Sequence, residues 1–142
     1  MGIVGAKLIY PHNRTIQHAG VVFSPNGKPF HIYRGRKFNN KSVNIQKDYN
    51  AVTGACMLVK KQLVDELNGF DEKIPLGWGV DIDYTYAVEQ LGLKVYLIDY
   101  WVNHHPNYET GHEHEKVDNI NELKNKAFEY MRKKWKLGEY SK

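Results

Sequence analysis

The run Gly77-Trp78-Gly79-Val80-Asp81-Ile82-Asp83-Tyr84 constrains this chain more than any other stretch. Just ahead of it, the segment from Phe70 to Gly79 carries Pro75 and two glycines, a composition that regular structure does not tolerate. Behind it, Tyr84, Ala87, Val88 and Leu91 recur at helical spacing, which predicts a helix opening near Asp81 and stopping at Gly92. An indole and two carboxylates thus arrive together at a loop-to-helix junction. Such junctions hold the backbone rigid while their side chains face a cleft.

The segments around this helix read as strands, and that decides the fold class. Gly2 to Tyr10 is rich in β-formers, apolar on both sides like a strand inside a sheet, and broken by Pro11. Thr15 to Phe23 returns as extended chain, and Asn26-Gly27 centres a strong turn, so this region reads as a hairpin-like excursion. Arg34 to Asp48 is polar and aperiodic, and reads as a long surface loop of the kind used for lids or binding. Ala51 to Val59 is expected to be a buried strand, with Gly54 and Ala55 marking a close approach to the backbone. Lys60 to Asn68 reads as a short helix stopped by Gly69, and Lys94 to Val102 as a strand running into Asn103-His104-His105-Pro106. A last helix runs from about Asn119 to Lys136 with Ile120, Leu123, Ala127, Met131 and Trp135 as its apolar stripe. Strands alternating with helices predict an α/β domain with a mixed sheet flanked by helices.

Composition narrows the function classes. A chain of 142 residues is one domain by length, with the C-terminal helix of residues 119–142 expected to pack on residues 1–118. One cysteine, Cys56, excludes an internal disulfide and a cysteine-built zinc cage; it sits in an apolar run, which argues against a nucleophilic role. No apolar run approaches the ~20 residues of a membrane span, so a cytoplasmic protein is the default expectation. The net charge of +4 belongs to the end of the chain. Residues 1–118 carry thirteen basic and thirteen acidic side chains, and residues 119–142 carry seven against three. That basic helix reads as a solvated face, or as a weak peripheral contact with an anionic membrane surface; nucleic acid is not an expected partner.

Two constellations could carry chemistry. Asp81 and Asp83 suit a helix cap and the helix dipole, and equally suit a cleft in which one acts as general base. Residues two apart at a helix start do not share a face, so the two are expected to have different jobs. Four of the seven histidines fall within residues 104–114, but His104 and His105 end a strand on opposite sides, so at most one faces a given site. His112 and His114 read as solvated loop residues. Trp78 is either a core indole or a stacking surface for a sugar or base.

Several runs together resemble one family. Val4-Gly5-Ala6-Lys7-Leu8-Ile9-Tyr10-Pro11, Thr15-Ile16-Gln17-His18-Ala19-Gly20, Ala51-Val52-Thr53-Gly54-Ala55-Cys56-Met57-Leu58-Val59 and Leu67-Asn68-Gly69-Phe70-Asp71-Glu72 stand in order, followed by Asp81-Ile82-Asp83, Leu91-Gly92-Leu93-Lys94-Val95 and His104-His105. Over about residues 2–106 the chain resembles the C-terminal half of a family 2 glycosyltransferase of the GT-A fold. The resemblance implies transfer of a sugar from a nucleotide-diphospho-sugar to a glycan or other hydroxyl acceptor, with Mn²⁺ or Mg²⁺ as cofactor. It implies Asp81 as the base and Trp78, Asp83, Thr53 and Gly54 as the acceptor and sugar-binding set. Val80 stands where the family carries a further acid, which leaves Asp83 to orient the helix start. The metal position falls on His104, with His105 second. The nucleotide-binding half and its own Asp-x-Asp are not in these residues, so the resemblance implies completion by an N-terminal domain or a second chain. The expected result is that the 142-residue chain releases no nucleoside diphosphate from a nucleotide-sugar by itself. The rival class is a non-catalytic carbohydrate- or partner-binding module that keeps the acceptor cleft.

Overall fold

The computed structural model describes residues 1–39, 41–43, 47–104 and 118–137. His105, His112 and His114 lie outside them. Among the described residues, seven strands and three α-helices follow in the order β1 (Ile3–Tyr10), β2 (Thr15–His18), β3 (Val21–Phe23), β4 (Pro29–His31), β5 (Lys47–Asp48), β6 (Met57–Val59), α1 (Lys61–Glu66), α2 (Val80–Gln90), β7 (Val95–Asn103) and α3 (Ile120–Trp135). The α/β class with a mixed sheet flanked by helices holds. β1 runs parallel to β7, from Ile3 opposite Val95 to Ile9 opposite Asn103. Its other edge is shared, with β6 antiparallel along Ile3 to Gly5 and β2 antiparallel along Leu8 to Tyr10. β5 closes the far side of β7, and β3 with β4 forms a separate hairpin around the Asn26-Gly27 turn.

The central position of β1 follows from its side chains. Ile3, Ala6, Leu8 and Ile9 are buried, and burial of each large aliphatic side chain is worth about 1.5–3 kcal/mol. Lys7 interrupts that run and is also fully buried. Its ammonium meets Asp99 at 2.6 Å and lies 5.3 Å from the centre of the Trp101 ring, so the charge is paired inside the sheet layer. The main core joins Ile3, Leu97, Val95 and Val52 to Leu63 of α1 and to Tyr84 and Val88 of α2. Leu91, the last member of the expected α2 stripe, lies beyond the helix end and is exposed.

Two expectations are corrected. Residues from Ala51 to Val59 do not form one buried strand: only Met57–Val59 is strand, and Leu58 is 72% exposed. Thr53 Oγ1 accepts the Ala55 N–H and starts a 3₁₀ turn over Gly54–Cys56, because a threonine hydroxyl competes with the ladder for nearby amides. The segment from Arg34 to Asp48 is not all surface either. Val43 is buried and packs with Ile16, Ala19, Phe38 and Trp101 into a second core that ties this segment to β2. Buried Val43 anchors this polar segment.

Candidate functional site

Gly79 opens α2 with φ +86°, and a Cβ there would stand 2.8 Å from Met131 Cε of α3, so glycine satisfies both the backbone and the packing. The first turn then sends its two carboxylates to different neighbours, as residues two apart on a helix must. Neither caps the helix through its side chain in the N-cap sense, because the N-cap residue is Gly79.

Asp83 turns toward α3 and is 4% exposed. Its Oδ2 accepts from Lys134 Nζ at 2.9 Å and its Oδ1 from Trp135 Nε1 at 2.6 Å. Lys134 also reaches Asp71 Oδ2 at 2.8 Å, and Tyr130 donates to the same oxygen at 2.9 Å. The Lys134 hydrogen bond, joined by those from the Lys73 amide and Tyr130, holds the Asp71 carboxyl down at about 2. Burial lowers the Lys134 ammonium, and the hydrogen bonds to Asp71 and Asp83 outweigh it and raise the group above its ordinary value. Trp78 belongs to the same neighbourhood. It is partly buried against Ile74, Ala127 and Met131, so its indole helps seat α3. A concavity of about 550 Å³ opens on this side of α2, between residues 67–73, Tyr84, Lys134 and Trp135.

Asp81 turns the other way. Its Oδ2 accepts the Gly54 N–H at 2.9 Å and its Oδ1 the Ile82 N–H at 2.9 Å, both charge-assisted bonds that hold a carboxylate in one orientation. The close approach expected at Gly54 is made by Asp81 itself: a Cβ on Gly54 would lie 3.2 Å from Asp81 Cβ. The structure therefore brings Asp81, Gly54 and Thr53 together and places Asp83 and Trp78 on the α3 side.

Two histidines that the residue pattern does not single out complete the Asp81 side. His18, buried on β2, accepts the Thr53 N–H through Nε2 at 3.4 Å, and its Nδ1 lies 2.9 Å from Nδ1 of His31 on β4. Burial, with His31 next in size, pushes His18 down to about 3. Burial and then Arg34 lower His31, while Asp81 is near enough to raise it in part. The available signal was strand alternation: Ile16 and His18 share the buried face of β2, where a histidine must find partners.

His104 lies on another face. Its backbone N–H donates to Ile9 O at 3.0 Å, and its Nδ1 meets Gln17 Oε1 at 2.6 Å. An amide oxygen only accepts, so Nδ1 is the donor in this bond. Gln17 and His18 point to opposite sides of β2, so His104 and the His18–His31 pair are not on one surface. Among the described residues no three His, Cys, Asp or Glu side chains gather as a ligand set. The Mn²⁺ or Mg²⁺ implied by the resemblance thus finds no ligand set among the described residues, and no chemical step below runs through it. Among the described residues, no helix is long and apolar enough to cross a membrane.

No family model matches the chain. It is 32% identical over 148 residues to the uncharacterized protein y4gI of Sinorhizobium fredii (strain NBRC 101917 / NGR234), an alignment that covers 99% of this chain and 16% of that protein. It is 30% identical over 100 residues to the O-antigen biosynthesis protein RfbC of Myxococcus xanthus, covering 67% of this chain and 8% of that protein. The likeness is therefore to a short segment of two much longer proteins, one of which is named as an O-antigen biosynthesis protein.

Proposed function

We propose that the chain supplies the acceptor side of a glycosyl-transfer site, with Asp81 as general base. The observation that carries this reading is the fixed Asp81 carboxylate at the start of α2, held by the Gly54 and Ile82 amides rather than by a cation. Partial likeness to an O-antigen biosynthesis protein supports the class of chemistry. A sugar hydroxyl is a poor nucleophile until a positioned carboxylate accepts its proton, and each Asp81 oxygen keeps a lone pair beyond the amide bond it accepts. Thr53 and Gly54 would line the approach of that hydroxyl, while Trp78 stays with the docking of α3. Within the GT-A reading, the nucleotide-sugar donor and its cation bind on a complementary half, to which this chain contributes His104.

The test places this chain in the matching segment of the Myxococcus RfbC protein and follows O-antigen synthesis. Asp81→Asn is expected to cut synthesis roughly hundredfold, the lower range for loss of a general base. Calorimetry on the isolated chain should show glycan binding unchanged by the same substitution. Full synthesis by the Asn variant, with glycan binding intact, would hand the site to the rival reading of a non-catalytic carbohydrate-binding module.

A further inference from the structure

The hydrogen bonds around His18 decide which nitrogen of His31 carries a proton. The Thr53 amide can only donate, so Nε2 of His18 is the acceptor and its proton sits on Nδ1. That Nδ1–H faces Nδ1 of His31 at 2.9 Å, so His31 accepts there and carries its own proton on Nε2. The rings meet edge to face, with centroids 5.1 Å apart and planes at 84°. Two imidazolium rings could not keep this contact, since both Nδ1 atoms would then be donors. Burial, the first cause for each ring, holds both below the ordinary histidine value, so the pair is neutral at physiological pH.

Among the described residues no hydrogen bond uses the His31 Nε2–H. Asp81 lies within electrostatic reach, yet no hydrogen bond joins the two side chains. The His31 donor and the Asp81 carboxylate are thus held on the same short stretch of chain, His31 through His18 on the Thr53 amide and Asp81 on the Gly54 amide. Arg34, the other charged group near His31, is engaged at Nη2 with the Tyr10 hydroxyl at 2.9 Å.

We propose that His31 is a substrate-binding residue whose Nε2–H donates to an uncharged oxygen of a sugar beside Asp81, with His18 and the Thr53 amide as the positioning groups that fix its tautomer. Arg34 and Asp81, of opposite charge, both lie within electrostatic reach of His31, so an uncharged oxygen suits this donor. This inference rests on the Asp81 cleft being a carbohydrate site.

The experiment uses the uniformly ¹⁵N-labelled chain, read by two-bond ¹H–¹⁵N correlation of the histidine rings and by the backbone amide spectrum near pH 7.5. The probes are methyl glucoside and methyl rhamnoside. The expected result is an Nδ1–H tautomer for His18 and an Nε2–H tautomer for His31. The glycosides should move the His31 Nε2 signal. His31→Phe should weaken glycoside binding about tenfold, the worth of one hydrogen bond. His31→Gln, whose amide can replace the Nε2–H donor, should keep most of that binding and show that loss in the Phe variant is not misfolding. An Nε2–H on His18, or an unchanged affinity in His31→Phe, overturns the inference. Shifts at the Gly54 and Asp81 amides with His31 silent overturn it and leave the carbohydrate reading standing. No shift anywhere overturns both.

Discussion

Replacing Asp83 by alanine is expected to cost roughly 3 kcal/mol of stability and to loosen α3 from α2. Both oxygens of this buried carboxylate are committed, one to the Lys134 ammonium and one to the Trp135 indole. Truncation leaves an indole N–H without its acceptor and a partly buried ammonium with Asp71 alone. Removing one partner of a buried pair costs about 3–5 kcal/mol, and the Lys134 side chain, 30% exposed, can turn to water and hold the cost at the lower end. For a chain of this size that is a fall of about 10 °C in melting temperature. Asp81→Ala serves as the control. Asp81 accepts only backbone amides at a helix start that water can also reach, so its loss should cost about 1 kcal/mol. Equal melting shifts for the two variants would contradict the division of labour between them.

That division was half legible beforehand. The helical spacing from Tyr84 onward and the glycines before it are local signals, and they place α2 to within a residue or two. That Asp81 and Asp83 would part company follows from helix geometry. Which partner each would find depends on contacts far along the chain, Gly54 in one case and Lys134 and Trp135 in the other, and no local pattern encodes those. The same limit explains the strand expected from Ala51 to Val59. Its apolar residues read as β, but the Thr53 hydroxyl and the Asp81 carboxylate compete for the amides of Ala55 and Gly54 and turn the chain before Met57. The basic character of the last helix also changes meaning once its partners are known. Lys126 pairs with Glu122, Arg132 with Glu129, and Lys134 with Asp71 and Asp83, so part of that charge is used in building and docking α3.

Clustering of histidines in sequence points to residues 104–114 and passes over His18 and His31. A fully buried histidine has a consequence that clustering does not reveal: it makes the protein acid-labile. His18 has a folded value of about 3 against an ordinary 6.5, because burial disfavours its charged form. Between those two values the unfolded chain binds a proton that the native chain does not, so stability is complete above about pH 6.5 and is lost as pH falls toward 3. The loss reaches roughly 5 kcal/mol at the acid end, comparable to the whole stability of a marginal domain. His31, also lowered, adds to it in the same direction. Glu89 works against both. Burial raises its carboxyl from 4.5 to about 7, so the native chain holds a proton there that the unfolded chain has given up, and stability rises as pH falls from 7 to 4.5. Glu89 is partly solvated, which discounts its share. Urea unfolding should therefore show a shallow dependence from about pH 7 to 5 and a steep fall below it, where only the histidine contribution and the depressed Asp71 remain. Glu89→Gln should uncover the decline already below about pH 6.5. His18→Asn should be less stable at neutral pH yet lose less stability than the wild type as the solution is acidified. A His18 ring that titrates near 6.5 by NMR, or an Asn variant that keeps the wild-type acid slope, would contradict the neutral, buried pair on which the site is built.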